Sequence, residues 1–130
     1  MAGPEKLVED KIKKALEDKG YWFMKVWGGS GVKKGVPDII SVINGHFVSW
    51  EIKRNDGKGR ITPVQKQNAV EITQNGGIAV FISDLHTFKV IEDHLLHPKK
   101  KFNLDDSALL HLDDEPHSAY EKGLYEGIWR

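Results

Sequence analysis

The sequence predicts one mixed α/β domain with the element order α-β-β-β-α-β-α, its helices packed around a central mixed sheet. Three observations carry this reading. An amphipathic stripe opens the chain, Asn44-Gly45 joins two apolar runs as a hairpin turn would, and Thr62-Pro63 opens a helix that leads to a further apolar run. The 130 residues suffice for a single core without staples, and no internal repeat or low-complexity segment divides them.

Each element has its own warrant. From Glu5 to Lys19, Val8, Ile12, Ala15 and Leu16 recur at helical spacing, Pro4 suits the first turn and Gly20 stops it. Glu9 lies at the border of that stripe, from which it can lean over the sheet. Tyr21 to Trp27 reads as a strand containing Lys25, followed by a basic glycine-rich loop from Gly28 to Gly35. This loop lacks the Gly-Lys-Ser/Thr ending of a P-loop. Ile39 to Ile43 is a β-branched strand, and Phe47 to Lys53 alternates, with Val48, Trp50 and Ile52 on one face and Phe47, Ser49, Glu51 and Lys53 on the other. Thr62 caps and Pro63 opens a helix to about Gln74. Ile78 to Ile82 is a buried strand, and Ser83-Asp84 starts a last helix that ends near Leu96.

The hairpin carries the chemistry. Antiparallel pairing about Asn44-Gly45 sets Asp38 opposite roughly Glu51, with Lys53 two residues further along the same face. Two carboxylates can hold a hard divalent cation, with the Ile52 backbone carbonyl as a further oxygen ligand and waters completing the shell. A lysine beside that cation can orient or deprotonate an attacking water, or neutralise charge on a phosphate in flight. Such equipment hydrolyses a phosphodiester. Gly-x-Pro-Asp alone is usually a turn and Glu-x-Lys alone usually a solvated face, so the weight rests on their joint placement on one hairpin. Gln65, in the first turn of its helix, can face the same site.

Composition narrows the class. There is no cysteine, which excludes a disulfide framework and a thiolate zinc site. No stretch is apolar and long enough for a signal peptide or a membrane span, which predicts a cytoplasmic chain with no membrane partner. The net charge is zero, yet residues 1–104 hold 17 Lys and Arg against 12 Asp and Glu, while residues 105–130 hold 2 against 7. Lys33, Lys34, Arg54, Lys58, Arg60 and Lys66 lie near the expected site in sequence and form a candidate phosphate track, joined by Lys25 and by Ser30 in the loop.

Taken together, Glu9, Gly20, Lys25, Gly35-Val36-Pro37-Asp38, Glu51-Ile52-Lys53, Thr62-Pro63-Val64-Gln65 and Gly76 resemble the PD-(D/E)XK nuclease superfamily, and within it the VRR-NUC domains, over roughly residues 5 to 96. The resemblance implies a restriction-endonuclease-like core in which Asp38, Glu51 and the Ile52 carbonyl bind Mg²⁺ or Mn²⁺. It implies that Lys53 is the catalytic lysine, and that Glu9 and Gln65 support it, Glu9 as a further metal contact. It also implies a stand-alone enzyme of a bacterial cell or phage-infected host, dimeric, cutting branched DNA such as four-way junctions. A nicking, restriction-type or flap nuclease on duplex DNA is the alternative within the class. A catalytically silent DNA-binding module is the alternative outside it, opposed by a carboxylate pair that repels phosphate unless a cation intervenes.

The nuclease core is expected over 1–97 and an acidic extension over 98–130. That extension carries Leu104, Leu109, Leu110, Leu112, Tyr120, Leu124, Tyr125, Ile128 and Trp129, too much apolar surface for a purely solvated segment. It is expected to pack on the core or on a second subunit, and its acids to compete with DNA for the basic face. The six histidines are scattered and form no recognisable metal set.

Overall fold

A computed structural model describes residues 3–56 and 59–97, so the extension expected over 98–130 lies outside the described residues. The elements are α1 (Pro4–Asp18), β1 (Trp22–Lys25), β2 (Ile39–Ile43), β3 (His46–Ile52), α2 (Pro63–Gln74), β4 (Ile78–Ile82) and α3 (Leu85–Leu96). Their order is the expected one, and the boundaries differ from expectation by a residue or two. The largest trim is at β1, which expectation carried to Trp27. The Val26 N–H still pairs with the Asp38 carbonyl at 2.8 Å, after which the chain leaves the sheet at Gly28-Gly29.

The four strands lie in the order β1-β2-β3-β4. β1, β2 and β3 form an antiparallel meander, while β4 runs parallel to β3, as a crossover through α2 requires. Asn44 (φ 49°) and Gly45 (φ 81°) both take left-handed backbone, which a two-residue hairpin turn with the right twist demands. The turn fixes the pairing of Ile39 with Trp50 and Val42 with Phe47. A slip of one residue would turn Glu51 to the opposite face.

One face of the sheet is a dry core. Val8, Ile12 and Leu16 of α1 and Phe88, Ile91 and Leu95 of α3 bury against Ile39, Ile43, Val48, Trp50, Val80 and Ile82. The Trp50 and Phe88 rings meet at 5.1 Å, and the Trp50 indole N–H donates to the Ser41 hydroxyl (2.8 Å), which donates in turn to the Val48 carbonyl (3.0 Å). Every buried polar atom in that chain therefore has a partner. Tyr21 ties β1 to α3 through a 2.7 Å bond from its hydroxyl to Glu92.

The other face is only partly covered. α2 lies over its β3–β4 half, so Ser49, Glu51 and Lys53, which alternation alone left free to face water, are 2, 6 and 5% exposed. Over the β1–β2 half the described residues provide no helix, and Trp22, Met24, Val42 and Phe47 stay open to solvent.

Candidate active site

Asp38 stands one residue before β2 and is locked in place by backbone bonds. Its N–H donates to the Trp50 carbonyl (3.1 Å) and its carbonyl accepts from Val26 (2.8 Å). Its side-chain Oδ2 accepts from the Ile52 N–H at 2.8 Å, so the carboxylate is held across the hairpin. Glu51 faces it from β3, and the two carboxyl groups line the same cavity close enough to act on each other's ionisation. Burial first, then Asp38 and its charge, push the Glu51 carboxyl up to about 9, against the opposing pull of Lys53. A buried carboxyl beside a second, half-buried one does not ionise readily without a compensating positive charge.

Lys53 follows β3 and remains tied to the sheet, its N–H donating to the Ile82 carbonyl at 2.8 Å. Its ammonium is not loose: Nζ donates to the Arg60 carbonyl (2.6 Å) and to Gln65 Oε1 (2.8 Å). Gln65 holds a second post. Its Oε1 also accepts from the Thr62 N–H (3.0 Å) while its own N–H donates to Thr62 Oγ1 (3.2 Å), a reciprocal capping box at the start of α2. One side-chain oxygen thus starts the helix and positions the lysine.

Asp38, Glu51, Ile52, Lys53 and Gln65 line one cavity of about 460 Å³, walled by the loop from Gly28 to Val36. That loop is fastened to α2 by Asn68, whose side-chain amide donates to the Lys34 carbonyl (3.0 Å) and the Val64 carbonyl (3.1 Å). The fastening requires glycine at 35. Gly35 has φ +74°, and a Cβ there would strike Val64 and lie 2.8 Å from the Asn68 amide. Gly35→Ala should cost about 1–3 kcal/mol, from left-handed strain and the clash, readable as a lower midpoint in urea unfolding. An unchanged midpoint would mean that the loop detaches without penalty.

The other expected residues distribute unevenly. Glu9 is 8% exposed, and its carboxylate is paired with Lys25, with Lys13 at 3.3 Å and with Lys6 at 3.4 Å. Burial works to raise its pKa, but the lysines, Lys25 foremost, outweigh that and hold it below the ordinary value. Lys25 also lies 5.6 Å from the Trp27 ring centre. Lys33 and Lys34 line the cavity, Lys33 bonding Glu71 at 3.2 Å, while Arg54 is clamped by Asp56 at 2.6 Å. Ser30 is exposed in the loop, Arg60 contributes its carbonyl to Lys53, and Lys58 lies outside the described residues. The cavity wall also contains Glu5, which was not anticipated. It sits one helical turn before Glu9, on the same face, and its charge adds to the pressure on Glu51.

The donor set fits a hard divalent cation. Two neighbouring carboxyl groups, one buried and one half-buried, gain from a positive ion between them. Among the described residues no three His, Cys, Asp or Glu side chains converge into a metal site, so backbone oxygen and water would complete the shell, as Mg²⁺ tolerates.

A carboxylate pair and a buried lysine at the open end of a hairpin, in a mixed sheet flanked by helices, define a nuclease with a restriction-endonuclease-like core. The chain belongs to the archaeal Holliday junction resolvase (Hjc) family, whose model matches residues 5–107, past the last described residue, His97. It is accordingly a Holliday-junction-resolvase-like nuclease that acts on branched DNA. No curated protein and no solved structure matches the chain. No helix among the described residues is long and apolar enough to cross a membrane.

Proposed function

We propose that the chain resolves DNA junctions as a divalent-metal-dependent homodimer, each subunit cutting one strand. The observation that carries the metal dependence is the convergence of the Asp38 and Glu51 carboxyl groups, with Lys53 beside them, in one cavity open to a polyanion. Without a cation, that pair would repel the substrate. Asp38, Glu51 and the Ile52 carbonyl would hold Mg²⁺ or Mn²⁺, which when bound supplies charge neutralisation and a more acidic water.

The remaining chemistry belongs to the side chains. Lys53, fixed by Gln65 and Arg60, orients the water for in-line attack and meets negative charge growing on the scissile phosphate. Gln65 keeps the ammonium from swinging toward solvent. Lys33 and Lys34 hold neighbouring phosphates at the cavity wall, with the Ser30 loop, Arg54, Lys58 and Arg60 extending the track. Glu9 positions Lys25 for the same backbone, and Glu5 or Glu9 would add an outer contact to the cation.

Contacts of this kind read shape and charge rather than base edges, which favours structure selectivity over sequence specificity. The VRR-NUC resemblance is a finer placement within the same superfamily and leads to the same reaction. Its setting would be the compartment holding replicating or repaired DNA, in a bacterial cell or phage-infected host. A second subunit would bring a second cavity to the symmetry-related strand.

The test is cleavage of labelled four-way junction, flap, plain duplex and single strand, each with Mg²⁺, Mn²⁺ or EDTA. Junction cutting that requires the metal is expected, with EDTA abolishing it. Equal cutting of plain duplex would replace this reading with a nicking enzyme. Tight binding without any cutting would leave only a binding module.

A further inference from the structure

Trp22, Met24, Val42 and Phe47 are 56, 47, 41 and 40% exposed. They are not scattered. Trp22 pairs with Val42 and Val42 with Phe47 across three adjacent strands, and Met24 follows Trp22 on the same face. The result is one continuous apolar surface on the uncovered β1–β2 half of the sheet. Phe47 and Ile72 continue it into a groove of about 390 Å³ beside α2, flanked by the Lys33–Glu71 ion pair. A contiguous apolar patch on a sheet face has a water-exposure penalty that single exposed residues do not share, and it calls for a cover.

We infer that the chain's own C-terminal segment, residues 102–129, docks on this face. Where the core ends decides between occupants. The Asn44 side-chain amide donates to the Leu95 carbonyl at 2.8 Å, so the end of α3 is pinned to the tip of the β2–β3 hairpin. Val42 and Phe47 lie one residue pair in from that tip. The first apolar residues of the segment, Phe102 and Leu104, come five and seven residues after His97. Extended chain covers about 3.3 Å per residue, so they reach roughly 17–23 Å, enough to round the hairpin tip.

Size argues against a second globular copy as occupant. Four side chains exposed to this degree offer on the order of 400 Å², whereas a stable interface removes about 800 Å² from each partner. A peptide segment needs no more than that, because its tether replaces association entropy with a high local concentration. Composition matches the surface. Residues 105–130 add Leu109, Leu110, Leu112, Ile128 and Trp129 to the apolar total, side chains of the kind this face would cover. The family match ends at residue 107, so most of this device belongs to the present chain rather than to the family core.

The experiment uses the full chain with Phe47 replaced by the photocross-linker p-benzoylphenylalanine. Docking predicts a cross-link at monomer mass that maps to a peptide between residues 102 and 129. A cross-link at dimer mass to the core of a second copy would overturn the proposal, and so would the absence of any cross-link. A second arm compares wild type with Trp22→Lys, a change at an exposed strand position that the fold tolerates. Trypsin should cut after Lys122 at least about tenfold faster in the variant, while urea unfolding of the core shifts little. Equal cutting rates would also refute docking.

Discussion

Lys53→Ala should lower the single-turnover rate of junction cleavage by roughly 10³-fold, the usual loss when a fixed charge or proton-transfer group is removed from the reacting centre. Binding of the junction should change little, since one buried ammonium contributes far less to affinity than the surface lysines. The split matters because Lys53 also bonds two neighbours, the Arg60 carbonyl and Gln65 Oε1. A structural role alone would lower stability and cleavage together. Gln65→Leu separates the two. It leaves the ammonium in place but held by the Arg60 carbonyl alone, so cleavage should fall by about 10- to 100-fold, the scale of a supporting contact. The side-chain half of the capping box is lost as well, which costs up to about 1 kcal/mol in unfolding. If Lys53→Ala kept cleavage within tenfold of wild type, the catalytic assignment would be wrong.

The second large effect is on stability and runs opposite to activity. Glu51→Gln should abolish metal-dependent cutting yet stabilise the metal-free protein above neutral pH. The sign follows from linkage. The Glu51 carboxyl titrates near 9 in the fold and near its ordinary 4.5 when unfolded, so between these values the folded state binds more protons. Stability then falls as pH rises through that window, and the penalty is absent below it. Glutamine keeps the size and a hydrogen-bond donor beside Asp38 without the charge. At pH 8 the variant should gain on the order of 2 kcal/mol after allowance for solvent and relaxation, several degrees in Tm for a domain of this size. Thermal melts in EDTA from pH 5 to 9 would show a falling wild-type curve and a flat variant curve. Added Mg²⁺ should raise the wild-type Tm most at the alkaline end, where no proton competes for the site. Parallel curves for both proteins would sink this account of Glu51.

Much of this geometry could be read before any coordinates. Asn44-Gly45 permits few turns, and the turn sets the register that brings residue 38 to residue 51. Thr62-x-x-Gln65 is a local signal, and the capping box forms where it was expected. What stayed hidden depends on contacts between distant elements. Alternation shows that Glu51 and Lys53 share a face but not that α2 lies over it, because α2 buries Asn68, Ala69 and Thr73 rather than an apolar stripe. Helical spacing likewise puts Glu5 and Glu9 on one face of α1. Which of them lines the cavity depends on how far α1 is rolled and on Lys25, a strand residue that engages Glu9.

The double duty of Gln65 has a consequence for how the enzyme can fail. Because its Oε1 serves both the Thr62 N–H and the Lys53 ammonium, the start of α2 and the poise of the site open and close as one unit. Fraying of the first turn of α2 removes one of the two bonds that hold the lysine, leaving it on the Arg60 carbonyl alone while the sheet stays folded. The amide of Gln65 is therefore a gauge: its hydrogen-exchange rate measures the fraction of molecules in which Lys53 has lost this anchor at any moment.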